Sequence, residues 1–132
     1  MVRLCVEPIP GRALATARDT LDWLGRIDPP NLGLLLDVGH CLISGEDPAA
    51  VARAAGPRLG YVHLDDNDGM SDLHWPLLTG KLTPRHLEEL AAALRSIGYR
   101  GGLALELDAR HADPEAALGA GKGIVEQVFG GV

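Results

Sequence analysis

Apolar positions follow two alternating rhythms along the chain. Short runs rich in Leu and Val occur at Val2–Val6, Leu32–Leu36, Leu59–Leu64 and Leu103–Leu107, and the segments between them repeat apolar residues every three to four positions. This alternation predicts an α/β fold in which parallel strands are joined by helices. The first strand stops at the turn Glu7-Pro8-Ile9-Pro10-Gly11, and a helix is expected from about Ala13 to Arg26, with Leu14, Ala17, Leu21 and Leu24 on one face. Asp28-Pro29-Pro30 ends it. The second strand is almost wholly apolar, as expected for a parallel strand covered on both faces, and Asp37 stands at its C-terminal end.

Asp47 followed by Pro48 marks a further helix start, and Gly56-Pro57 closes that helix. The third strand places His63 and Asp65 on one face, because alternate residues of a strand point the same way. The polar loop from Asp66 to Lys81 is longer than a connector needs. A helix over Pro84–Ile97 carries the stripe Leu87, Leu90, Leu94 and Ile97; Thr83 caps it, Leu82 and Leu87 form a hydrophobic staple, and Gly98 stops it. The fourth strand carries Glu106, and a last helix runs from Asp113-Pro114 toward Phe129. The expectation is four strands and four helices.

Length and composition narrow the classes. At 132 residues the chain holds one domain at most, and 46% hydrophobic with 23% charged residues is ordinary globular composition. No stretch approaches the roughly 20 apolar residues of a membrane helix. The N-terminal layout reaches Glu7 before any long apolar region, unlike a secretory signal, so the expected location is cytoplasmic. Cys5 and Cys41 lack CxxC spacing and read as buried free thiols. Twelve Lys and Arg against 18 Asp and Glu give a net charge of -6, which disfavours a nucleic-acid partner and favours a small molecule.

The chemistry lies at the strand ends. Glu7, Asp37, His63 and Glu106 each sit at or next to the C-terminal end of a different strand, the rim where parallel α/β folds bind ligands. One acidic residue after a strand is commonly a cap or turn former, but four such positions in step point to a common centre. Three carboxylates and an imidazole suit a divalent metal: Mn²⁺, Mg²⁺, Co²⁺ or Zn²⁺. His40 follows in Asp37-Val38-Gly39-His40, where Gly39 is expected to turn the chain sharply. Asp72-Leu73-His74 puts two more ligand types on one side of an extended segment.

These motifs carry a resemblance. LCVEPIPG, NLGLLLDVGH, YVHLDDNDG with the downstream DLHWP, and IGYRGGLALEL, in this order, resemble the xylose isomerase-like TIM barrel superfamily of sugar phosphate isomerases and epimerases, which also contains endonuclease IV type AP endonucleases. The resemblance implies a metal held by Glu7, Asp37, His63 and Glu106, with His40 reaching a substrate oxygen. Asp72 and His74 resemble the pair that gives endonuclease IV relatives a further metal. One local departure is Pro76-Leu77-Leu78-Thr79-Gly80, where the family pattern has a proline and then two glycines one residue apart, and only the second glycine is kept. A complete barrel takes about 250 residues and eight strands. The chain is therefore read as a single partial domain over residues 1–132, the last four βα units of a (β/α)8 barrel, which calls for a homo-oligomer or a missing N-terminal half-barrel.

The function this implies is metal-dependent isomerisation or epimerisation of a sugar or sugar phosphate through an enediolate, with Glu7 and Glu106 as the proton-transfer pair. A dehydratase starts with the same proton abstraction. The rivals are an endonuclease IV-like zinc phosphodiesterase acting on abasic DNA and a catalytically silent half-barrel. Arg53, Arg58, Arg85, Arg95, His86 and His111 read as surface residues, and Trp75 as packing on the barrel top.

Overall fold

The alternating rhythm folds into a single parallel sheet. A computed structural model describes residues 2–132. Its strands β1 (Leu4–Val6), β2 (Leu32–Asp37), β3 (Leu59–Leu64) and β4 (Gly102–Leu105) lie in the order β1-β2-β3-β4, every pair parallel. The helices are α1 (Ala17–Ile27), α2 (Val38–Ser44), α3 (Pro48–Ala55), α4 (Pro84–Ser96) and α5 (Pro114–Phe129), with a 3-10 turn at Gly56–Arg58. Sequential strands pair in sequential order, so each connection is a βα crossover onto the next strand. The fold is the α/β architecture of four parallel βα units.

Two helices differ from the sequence expectation. α1 starts at Ala17, four residues after the expected Ala13, because Thr16 is its N-cap and the Thr16 hydroxyl accepts from the Asp19 N–H at 3.0 Å. The Glu46 carboxylate accepts from the next free amides, Ala17 N–H at 2.9 Å and Arg18 N–H at 3.0 Å. Helix α2 was not foreseen. Asp37 both ends β2 and caps α2, its carboxylate accepting from the His40 N–H at 2.7 Å. Thr83 caps α4 as expected, but His86 is part of that cap and not a free surface residue, since its ring Nδ1 accepts from the Thr83 N–H at 3.2 Å.

One face of the sheet is packed and the other is open. Leu34, Leu36, Val62 and Leu64 are buried in a single core with Leu24, Ala52, Leu87, Leu90 and Leu94 from the helices, and α3 packs against α4. The alternate residues Leu35, Tyr61 and Ala104 point to the opposite face, where Tyr61 remains 37% exposed. Cys41 is buried, whereas Cys5 is only half-buried, and both thiols are free. β1 and β4 each have one sheet neighbour among the described residues, and Leu4 on β1 is 57% exposed. Among the described residues, no helix is long and apolar enough to cross a membrane.

Candidate active site

The parallel register lines up the four rim residues. Asp37 stands opposite His63 across β2 and β3, and His63 opposite Ala104 of β4, so Glu106, two residues further, points to the same side. Glu106 lies just beyond β4, tied to it by its N–H donating to the Leu64 carbonyl at 3.1 Å. Glu7 follows β1 directly. One ligand atom from each of Glu7, Asp37, His63 and Glu106 lies within 4.8 Å of the others. His63 Nδ1 is central: it lies 2.5 Å from Glu106 Oε2, 3.5 Å from Glu7 Oε1 and 3.8 Å from Asp37 Oδ2.

The donor set fits a divalent cation on a physical test internal to the site. His63 Nδ1, Glu106 Oε2 and Asp37 Oδ2 are buried and have no hydrogen-bond partner, even though two of them are 2.5 Å apart. Buried polar atoms are otherwise nearly always paired. Short approach without hydrogen-bond direction means that these atoms aim at a shared centre and not at one another. Burial first, and then the neighbouring Asp37 charge, raises the Glu7 pKa above its ordinary value; burial likewise raises that of Asp37. A cation of charge two offsets this crowding of negative charge.

A second group adjoins the first. His40, buried in the first turn of α2, approaches Asp72 Oδ2 with Nε2 at 3.3 Å, and His74 Nε2 lies 3.2 Å from Asp72 Oδ1. Together they form a further candidate ligand set. His40 Nδ1 also lies 3.7 Å from Glu7 Oε1, so His40 stands between the two groups. Asp72 and His74 meet through a bend and not by strand alternation, because His74 has the left-handed φ of 47°.

The long loop takes its shape from buried groups to which the sequence reading gave no role. The Asp66 carboxylate accepts from the N–H groups of Asn67, Gly80 and Leu82 at 2.7, 2.7 and 2.8 Å, clamping both ends of the loop. Asp66 and Trp75 exchange backbone bonds of 3.0 and 2.8 Å, which seats the half-buried Trp75 on the site's border. Asn67 Nδ2 donates to the Gly39 carbonyl at 2.9 Å, tying the loop to α2.

Gly39 is helical and its φ is not positive, so its role is not the sharp turn expected of it. A Cβ there would lie 2.6 Å from both Asp65 carboxylate oxygens, so glycine is needed for close approach. Leu78 stands at the first of the family's two glycine positions and takes φ 64°. A left-handed non-glycine residue is strained by roughly 1–2 kcal/mol. Leu78→Gly should therefore raise stability by about 1 kcal/mol in urea denaturation; an unchanged or lower midpoint would show that the loop carries no such strain.

Asp65 is wholly buried between the groups. Burial, and then the Asp37 charge, pushes its pKa up to about 9. With folded-state values of Asp65, Asp37 and Glu7 above their ordinary ones, folding favours the protonated carboxyls. Their stabilisation is full below the ordinary carboxylate pKa and is lost as pH rises, through about 9 for Asp65. The metal-free chain should thus lose Tm between pH 5 and 9, and Mn²⁺ should restore it. At a hundredfold excess over Kd the gain is about 2.7 kcal/mol. A Tm that is flat with pH and unmoved by Mn²⁺ would contradict this electrostatic account.

The comparisons agree with the fold. A D-psicose 3-epimerase of Enterocloster bolteae is 29% identical over 100 residues, covering 73% of this chain and 29% of that protein. A 3-dehydroshikimate dehydratase of Pseudomonas aeruginosa is 32% identical over 102 residues, covering 74% of this chain and 16% of that protein. The crystal structure of a D-tagatose 3-epimerase-like protein superposes with a TM-score of 0.75 at 26% identity, covering 96% of this chain and 48% of that one. The chain thus spans about half the length of that structure and less than a third of these two curated relatives. The profile of the xylose isomerase-like TIM barrel family matches residues 1–127. With four parallel βα units, acidic and imidazole groups along one rim, and a family match over nearly its whole length, the chain belongs to the xylose isomerase-like TIM barrel family.

Proposed function

We propose that this chain carries the metal-binding and proton-transferring wall of a sugar or sugar phosphate epimerase or isomerase. The observation that carries the reading is that two glutamates, from opposite edges of the sheet, meet at one imidazole: Glu7 Oε1 and Glu106 Oε2 lie 3.5 and 2.5 Å from His63 Nδ1. Epimerisation removes a proton from one face of a carbon and returns one to the other, so it needs two groups flanking the substrate. Glu7 and Glu106 are that pair, each keeping an oxygen free of the ligand set. Glu7, Asp37, His63 and Glu106 would hold a divalent cation, which would supply Lewis acidity toward the negative charge that develops as the proton leaves. Asp37 and His63 fix the geometry. His40 donates to the substrate carbonyl or hydroxyl oxygen through Nδ1, the ring nitrogen that faces Glu7.

The pocket's other wall comes from a second half-barrel that pairs with β1 and β4, as further polypeptide or as a second copy of this chain. The open inner face around Tyr61 supports this reading. A phosphodiesterase acting on abasic DNA would draw on His40, Asp72 and His74, but the net charge of -6 opposes a phosphate backbone.

The test is incubation with Mn²⁺ and a panel of ketohexoses and their phosphates in D2O. Deuterium entering the carbon next to the carbonyl supports the proposal. Metal-dependent nicking of abasic duplex DNA without exchange overturns it, and a dehydrated product moves the activity to the dehydratase class.

A further inference from the structure

We infer that Asp65 is a positioning residue for a second cation site, one that fixes the ring of His74 so that its Nε2 faces Asp72 and His40. The inference rests on the metal-centre reading above and deepens it. Asp65 Oδ1 accepts from the Gly39 N–H at 2.9 Å, which locks the carboxylate against α2. Its other oxygen, Oδ2, lies 2.9 Å from His74 Nδ1, and neither of these buried atoms has a hydrogen-bond partner in the structure. At the far side of the ring, Nε2 lies 3.2 Å from Asp72 Oδ1.

The two nitrogens of an imidazole have opposite duties when one of them holds a metal. With Nε2 given to a cation, the ring's single proton is on Nδ1, and a carboxylate beside it sets both tautomer and orientation. Asp65 Oδ2 is that carboxylate oxygen. The same carboxylate holds Gly39 and thereby α2, the element that carries His40, so one buried group aligns two of the three ligands. This also accounts for the glycine at position 39, where a Cβ would strike the Asp65 oxygens. Asp37, Asp65 and His74 also lie close enough to form a ligand set of their own, and a cation seated there would occupy Nδ1 and exclude a proton from it.

The substitution Asp65→Asn separates these arrangements. The asparagine oxygen keeps the Gly39 bond, and its NH2 group then faces His74 Nδ1, which must become an acceptor. The proton is driven to Nε2, and the cation site loses its ligand. Histidine-selective nitrogen NMR of the full chain with Zn²⁺, together with a Zn²⁺ titration, reads both effects. The expected wild-type result is two equivalents bound, with His74 protonated on Nδ1 and metal-bound on Nε2. Asp65→Asn should move the proton to Nε2 and reduce binding to one equivalent, with the centre of Glu7, Asp37, His63 and Glu106 still loaded. His74→Ala, which leaves Asp65 in place, should lose the same equivalent.

Zinc on Nδ1 in the wild type, or an Asp65→Asn chain that keeps both the Nδ1 proton and the second equivalent, overturns the inference. If the wild type binds two equivalents with the expected tautomer but exchanges no proton on any sugar, the epimerase reading falls and the positioning role stands. If no zinc binds, the metal centre itself falls, and a proton on His74 Nε2 in the zinc-free chain overturns the positioning as well.

Discussion

On the proposed function, Glu106→Gln in the cation-loaded protein should lower the rate of proton exchange at the sugar carbon next to the carbonyl by between about 10²-fold and 10⁴-fold, the usual worth of a positioned general base. Glutamine keeps the shape of the side chain and one oxygen for a cation, but it has no carboxylate to take a proton. Because Glu106 sits on the rim beside His63 and not in the core, the fold should be untouched. Some sugar binding should survive, since His40, Asp37 and His63 remain. Deuterium incorporation and sugar affinity, measured on the same preparation, separate the two roles. Exchange retained within a few fold of wild type would remove Glu106 from the proton-transfer pair.

Asp37→Asn should produce two effects of opposite sign. Asp37 is 2% exposed, one oxygen capping α2 and the other buried without a hydrogen-bond partner toward His63. Asparagine preserves the cap through its oxygen and removes the buried charge that helps raise the pKa of Glu7 and of Asp65. The metal-free variant should therefore melt at a higher temperature than the wild type at pH 8. Cation affinity should fall by more than about 100-fold, since residues that merely support a ligand already cost 10–100-fold. Calorimetry with Mn²⁺ and a thermal melt of the stripped protein check both. A variant that is less stable and binds Mn²⁺ normally would mean that Asp37 serves α2 and not a metal centre.

The parts of this design that could be read from the chain are those whose physics is local. The apolar runs mark β2 and β3, whose packed face is Leu34, Leu36, Val62 and Leu64, and the rim ligands appear where those runs end. Helix α4 is legible from Thr83, Pro84 and its Leu stripe. Helix α2 is not: its seven residues are too few for a helical period to stand out, and its one start signal, Asp37, had already been read as the end of β2.

Non-local organisation was equally hidden. Alternation put Asp65 on the face of His63, yet its meeting with His74 depends on a loop that doubles back, clamped by Asp66 and bent at a left-handed His74. Spacing in sequence carries no signal for such a return. The role of Gly39 is hidden for the same reason, since its neighbour in space, Asp65, is 26 residues away in sequence.

The central claim is that Glu7, Asp37, His63 and Glu106 form one cation centre, and the most direct test is calorimetric titration of the metal-stripped chain with Mn²⁺, wild type beside His63→Ala and Glu106→Ala. The account predicts a site in the wild type at these four residues that both substitutions abolish. A full complement of bound cation after both substitutions, or no binding at this rim in the wild type, would contradict it.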